Sequence, residues 1–203
     1  MKSARTSFVI LLATILAAGC ASARSQEAPG DNGKPDGHKL KKYSEVVTDK
    51  AVSDSGLFVL HTVEEKLYYE IPLSMLDREM LLVSRRAATA QDLGYGGMKN
   101  NTQTVRWQKS HDKVLLRIES SENVAADSLP IYEAVRSSNF EPIVGAFAVE
   151  AWNADSSAVV IETTALFTED VPFLGLPAYS RENYKVSSLD KDRSYLEWTR
   201  SFP

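Results

Sequence analysis

The chain has 203 residues, of which 43% are hydrophobic and 25% charged, with a formal net charge of −4. This composition fits one folded domain with or without a small appendage, and it excludes collagen-like, wholly disordered and polytopic membrane proteins. The acidic balance argues against nucleic acid as a partner, and a lone cysteine rules out an internal disulfide framework or a cysteine-built zinc site.

The first residues read as an address. Lys2 and Arg5 precede an uncharged apolar run from Phe8 to Ala18. That run is too short to span a bilayer, which takes ~20 residues, and it suits the hydrophobic region of a signal peptide over residues 1–19. Small residues then lead into Cys20, and Leu16-Ala17-Ala18-Gly19-Cys20 resembles a bacterial lipobox, with Leu16 one place earlier than usual. The resemblance implies lipidation of Cys20 and a cell-envelope lipoprotein. The absence of Asp at position 21 points to the outer membrane. Two other readings stay open: Ala21-Ser22-Ala23 also fits ordinary signal cleavage, giving a secreted or periplasmic protein, and the run could remain as an uncleaved anchor. Removing Lys2 and Arg5 from 23 basic residues leaves 21 against 27 acidic, a mature charge of −6.

Residues 20–42 are rich in Gly, Pro, Asp and Lys, without a hydrophobic period, and read as a flexible tether. His38 falls in it as a solvated residue. A short module is expected over 43–76. Tyr43 to Val47 opens it as a helix ending before the Asp54-Ser55-Gly56 turn. Strands follow from Leu57 to Val63 and from Leu67 to Ile71, joined by a polar turn at Glu64-Glu65-Lys66 and stopped by Pro72. Ser74 is placed to cap a single helical turn through Asp77.

A β-rich domain is expected over 77–203. Met80 to Ser84 is a short apolar strand. Thr89 to Asn101 is a long loop holding Gly94, Tyr95, Gly96 and Gly97. Thr102 to Lys109 alternates, with Val105 and Trp107 on one face. After the Ser110-His111-Asp112 turn, Lys113 to Ser120 alternates again with Val114, Leu116 and Ile118 inward. Pro130 to Ser138 suits a short helix, Phe140 to Trp152 and Ala158 to Thr163 suit strands, and Ala165-Leu166-Phe167 leads into a loop with Pro172, Gly175 and Pro177. A last strand is expected near Ser194 to Trp198, and its abrupt stop at Pro203 suggests a truncated product. The fold class is therefore mainly β (α+β): antiparallel sheets with a few short helices.

No residues stand out as catalytic or metal-binding. The histidines, His38, His61 and His111, fall on separate elements, and no His-Glu-x-x-His is present. His61, in a strand between Leu60 and Val63, reads as packed or hydrogen-bonded, and His111 as a solvated turn residue. There is no Gly-x-Ser-x-Gly elbow. Gly-x-Gly-Gly at 94–97 is not a phosphate loop. It reads as a bend where backbone passes close to something else, and as the loop to contact a neighbouring domain. Glu169-Asp170 and Asp190-Asp192 read as solvated acids rather than a glycosidase pair, and Trp107, Trp152 and Trp198 as packing residues rather than a sugar platform. Acids interleave Arg78, Arg85, Arg86 and Arg106.

Several phrases in order carry a resemblance. They include Tyr43-Ser44-Glu45-Val46-Val47-Thr48, Gly56-Leu57-Phe58-Val59-Leu60-His61, Tyr69-Glu70-Ile71-Pro72, Leu81-Leu82-Val83-Ser84-Arg85, Leu93-Gly94-Tyr95-Gly96-Gly97, Val105-Arg106-Trp107, Ser138-Asn139-Phe140-Glu141-Pro142-Ile143, Leu166-Phe167-Thr168-Glu169-Asp170-Val171-Pro172 and Leu189-Asp190-Lys191-Asp192-Arg193-Ser194. Together they resemble the N-terminal, uncharacterised region of large bacterial envelope metalloproteases. The resemblance implies a hydrolase parent whose zinc sits in a later, zincin-like domain. It implies neither cofactor nor catalytic residue for these 203 positions. The implied partners are that catalytic domain and, through the lipid, the membrane. The alternative is a stand-alone envelope lipoprotein that binds peptide, glycan or protein.

Overall fold

The computed structural model describes residues 38–119 and 123–203. The leader, Cys20 and most of the tether lie outside the described residues. Eight strands form one antiparallel sheet, curled into a half-barrel. They are β1 (Val52–Ser55), β2 (Val59–Val63), β3 (Lys66–Pro72), β4 (Glu79–Arg85), β5 (Lys99–Ser110), β6 (Lys113–Glu119), β7 (Ile143–Trp152) and β8 (Ala158–Glu162). Among the described residues four short helices accompany them: α1 (Tyr43–Val46), α2 (Tyr132–Ser138), α3 (Thr164–Thr168) and α4 (Ala178–Tyr184).

The order across the sheet is β1-β2-β3-β8-β7-β6-β5-β4. Two meanders, β1–β3 and β4–β8, meet where β3 pairs with β8, with Tyr69 opposite Ile161 and Ile71 opposite Val159. The sheet thus crosses the expected boundary between residues 76 and 77. Both hairpins read from alternation are present, and their turns carry the left-handed residues that tight antiparallel connections need: Glu64 at φ 57° and His111 at φ 55°.

The period of two decides which side chains meet. On the concave face Leu60, Leu67, Tyr69, Ile71, Val105, Trp107, Val114, Leu116, Val159 and Ile161 form the main core. Ile71, Val114, Leu116, Val159 and Ile161 are fully buried, each worth about 1.5–3 kcal/mol of transfer free energy. Tyr69 anchors an aromatic cluster with Phe58, Trp107 and Phe167 at ring separations of 5.1, 6.0 and 5.9 Å. The segment 163–174, through Leu166, Phe167, Val171 and Phe173, closes over this face. Ser84 Oγ donates to the Leu174 carbonyl and the Asn101 amide to that of Phe173, tying the segment to β4 and β5.

The convex face has its own small core. Val46 of α1 packs on Tyr68, Ala151 and Val160, with Tyr43, Val47 and Val63 around them. Residues just before α1, expected as tether, are docked as well: the Lys41 N–H donates to the Glu150 carbonyl at 2.8 Å, and its ammonium to the Glu150 carboxylate at 2.6 Å.

Four local expectations need correction. Ser74 lies inside a 3-10 turn, Leu73–Met75, and makes no cap there. Val52–Ser55 is a strand although its VSDS sequence lacks alternation of hydrophobicity, because β2 supplies the ladder. Residues 164–168 and 178–184 are helical where a loop was expected. No strand forms at 194–198. The tail from Ser194 is held instead through side chains: Thr199 Oγ1 lies 3.0 Å from the Tyr69 hydroxyl, Ser201 Oγ accepts from the Phe58 N–H at 3.1 Å, and Arg200 pairs with Asp54 at 3.2 Å. Trp198 is accordingly 58% exposed, not packed.

Candidate functional site

The most developed polar constellation lies at the rim of the convex core. In the β2–β3 hairpin His61 pairs with Tyr68 and Val59 with Glu70. His61 and Glu70 are therefore diagonal neighbours on one face, within reach of long side chains. The His61 Nε2 lies 3.0 Å from Glu70 Oε2, which also accepts from the Tyr43 hydroxyl at 2.8 Å. On the other side of the ring, Ser53 Oγ of β1 lies 2.7 Å from Nδ1. The four side chains join α1, β1, β2 and β3. His61 and Glu70 keep 5% and 13% of their side-chain surface exposed.

A neutral imidazole satisfies this chain completely, with Nε2–H donating to the carboxylate and Nδ1 accepting from Ser53. The Tyr43 hydroxyl is pushed up to about 12, chiefly by burial and next by its bond to Glu70. Serine, histidine and carboxylate in sequence are also the elements of an activated nucleophile. Here, however, the ring is enclosed and the carboxylate is shared with a tyrosine. The arrangement acts as a tie that fastens α1 and the edge strand β1 to the sheet. Its legible trace in the sequence is Glu70, the one charge inside Leu67-Tyr68-Tyr69-Glu70-Ile71.

The other histidines lie elsewhere. His38 Nε2 is 3.3 Å from the Glu150 carboxylate. With His111, Lys109, Asp112, Val149 and Trp152 it lines a cavity of about 190 Å³, below the ~300 Å³ at which small-molecule sites begin. Among the described residues no three His, Cys, Asp or Glu side chains come together as a metal-binding group.

The loop at 94–97 is the tip of the β4–β5 hairpin, folded back on its own stem. The Arg86 guanidinium donates to the Leu93 carbonyl at 2.6 Å, and Arg85 to that of Gly97 at 3.2 Å. Gly94 has φ 89°, and a Cβ there would stand 2.9 Å from the Tyr184 hydroxyl of α4. A Cβ on Gly96 would stand 2.7 Å from the Ala87 carbonyl oxygen. Close backbone approach accounts for these glycines. Tyr95 stands out from the tip, 80% exposed.

Of the other acids singled out, Glu169, Asp170 and Asp190 are ion-paired. Asp170 accepts from both terminal nitrogens of Arg181, at 2.9 and 2.6 Å, which holds its carboxyl below the usual carboxylate range against a smaller effect of burial. Glu169 pairs with Lys191 and Asp190 with Arg193. Arg106 pairs with Glu119 at 3.0 Å and with Glu141. No helix among the described residues is long and apolar enough to cross a membrane.

Fold and site together define a mainly β domain whose polar clusters are consumed in holding its own elements. The chain belongs to the family described as Domain of unknown function (DUF5117), whose model matches residues 97–203, just over half of it. A second model, Domain of unknown function (DUF5118), matches residues 40–89. No curated protein and no solved structure matches the chain.

Proposed function

We propose that this chain is the non-catalytic N-terminal accessory region of a lipid-anchored bacterial zinc metallopeptidase. In this reading Cys20 carries the lipid, the tether spaces the domain from the membrane, and the half-barrel positions the catalytic domain. The observation that carries it is the β4–β5 hairpin tip. Arg85 and Arg86 brace the loop from inside, and Tyr95 is presented at its end to solvent. A braced, exposed aromatic is the kind of group that anchors a contact between domains. The histidines support the reading, since His61 and His38 are already engaged with carboxylates.

Zinc binding and casein hydrolysis by the purified chain test the non-catalytic assignment. The expected result is neither stoichiometric zinc nor peptidase activity, and either one overturns it. Labelling with a radioactive fatty acid tests the anchor: label must enter the wild type and vanish in Cys20→Ala. The gene sequence beyond codon 203 tests the parentage. An in-frame His-Glu-x-x-His supports it, whereas an immediate stop with a stably folded product favours the stand-alone binding module.

A further inference from the structure

The two edges of the sheet are built differently. β1 is four residues long and polar, features that discourage pairing with another chain. β4 is seven residues long, alternates regularly between exposed and half-buried positions, and among the described residues has β5 as its one partner in the sheet. Its sequence is Glu79-Met80-Leu81-Leu82-Val83-Ser84-Arg85. Leu81 and Val83 are 68% and 42% exposed on the convex face. Every second residue leaves its N–H and C=O on the free side. A long apolar edge of this kind is normally blunted, covered or used.

The sequence of β4 is complementary to itself. Laid antiparallel against a second copy about Leu82, Glu79 of each chain stands opposite Arg85 of the other. Leu81 of each stands opposite Val83 of the other, and Leu82 opposite Leu82. Glu79, Leu81, Val83 and Arg85 all lie on the convex face, so both the charge pairs and the apolar pairs form on one side of the joined sheet. A second feature points the same way. Within one chain Glu79 stands opposite Arg106, which it shares with the nearby Glu119, and burial first, then repulsion from Glu79, raise the Glu119 carboxyl against the pull of Arg106. Arg106 is also claimed by Glu119 and Glu141, and a second guanidinium delivered on the free side of Glu79 offsets the remaining excess of acid.

We propose that β4 is a twofold pairing edge through which two copies of this chain join into one continuous sheet. The occupant of the edge is a second copy, because the pattern of charge and apolar residues reads the same from both directions, as an isologous contact demands. The contact is small beside a standard interface of about 1,600 Å², so association is expected in the micromolar range.

Sedimentation velocity on the purified full chain, across micromolar to several hundred micromolar, tests it. Wild type is expected to pass reversibly from monomer to dimer. Glu79→Arg alone and Arg85→Glu alone each set two like-charge pairs across the axis and weaken the dimer roughly tenfold. The double reversal, Glu79→Arg with Arg85→Glu, restores it to within about threefold of wild type. Each single variant also disturbs its own chain: Arg85→Glu loses the bond to the Gly97 carbonyl, and Glu79→Arg loses the carboxylate opposite Arg106. The double variant loses the same contacts, so recovery in it separates pairing from local damage. A wild type that stays monomeric throughout overturns the proposal. So does a dimer indifferent to the single reversals, or a double variant as weak as either single one.

Discussion

Replacing Glu70 by Ala removes the acceptor that serves two donors at once. Glu70 Oε2 takes the Tyr43 hydroxyl at 2.8 Å and the His61 Nε2 at 3.0 Å, with only 13% of the side chain exposed. An orphaned buried donor costs about 1–3 kcal/mol. Tyr43, at the rim, recovers part of its loss from water, whereas His61 recovers little, so the expected cost is about 2–4 kcal/mol. Tyr43→Phe deletes one donor and leaves Glu70 bonded to His61, for about 1–2 kcal/mol. The double variant should cost less than the two singles combined by at least ~1 kcal/mol, since both act on one bond. Urea unfolding followed by tryptophan fluorescence measures all three. With a slope of about 1–3 kcal/mol per molar urea, Glu70→Ala should lower the midpoint by roughly 1–2 M. A loss under about 0.5 kcal/mol, the size of a surface substitution, refutes the tie. Strict additivity in the double variant refutes the Tyr43–Glu70 bond in particular.

Alkaline solution should weaken the fold through Tyr69 and Tyr43, both pushed up to about 12 from an ordinary 10, by burial first in each case. Their contribution is whole below pH 10, where the unfolded chain also holds its protons, and is lost as pH rises toward 12. For core-buried Tyr69 this amounts to roughly 2–3 kcal/mol, and urea midpoints in Tyr69→Phe should fall less steeply over that range. Asp170 has the opposite sign. Its carboxyl is depressed by Arg181, so its contribution is present above the ordinary carboxylate range and fades as pH falls below it. Asp170→Asn should cost about 1–2 kcal/mol near neutrality, read as faster hydrogen exchange at the Leu189 amide, which donates to Asp170 at 3.1 Å. In Gly56→Ala the new methyl would overlap the Ser201 carbonyl oxygen. The tail must therefore leave, and the Phe58 amide, freed from Ser201, should exchange at least tenfold faster; unchanged protection there contradicts the docking of the tail.

The hairpins were legible because their information is local. Val105, Trp107, Val114 and Leu116 alternate on either side of a turn, and the same residues line the core. β1 was not legible, since Val52-Ser53-Asp54-Ser55 becomes a strand only against the free edge of β2. Tyr195, Leu196 and Trp198 have strand-like side chains but no ladder to join, and Thr199 and Ser201 fix the tail through their hydroxyls instead. The polar tie was half legible. His61 read as a hydrogen-bonded histidine, and Glu70 is conspicuous among apolar neighbours. Their meeting depends on hairpin register, and Tyr43 arrives only when α1 docks. The glycines of the 94–97 tip were legible as a tight backbone approach, though the surface approached, Ala87 and Tyr184, lies within the same chain.

The seam between β3 and β8 also orders events in time. Tyr68 is matched with Glu162, so the first hairpin enters its folding compartment with Leu67, Tyr69 and Ile71 unsheltered until about ninety further residues follow. Throughout that interval one flank of β3 is sticky and unmatched. A chain that enters its folding compartment N-terminus first has reason to engage a holding chaperone early and to release it only when β8 follows to close the sheet.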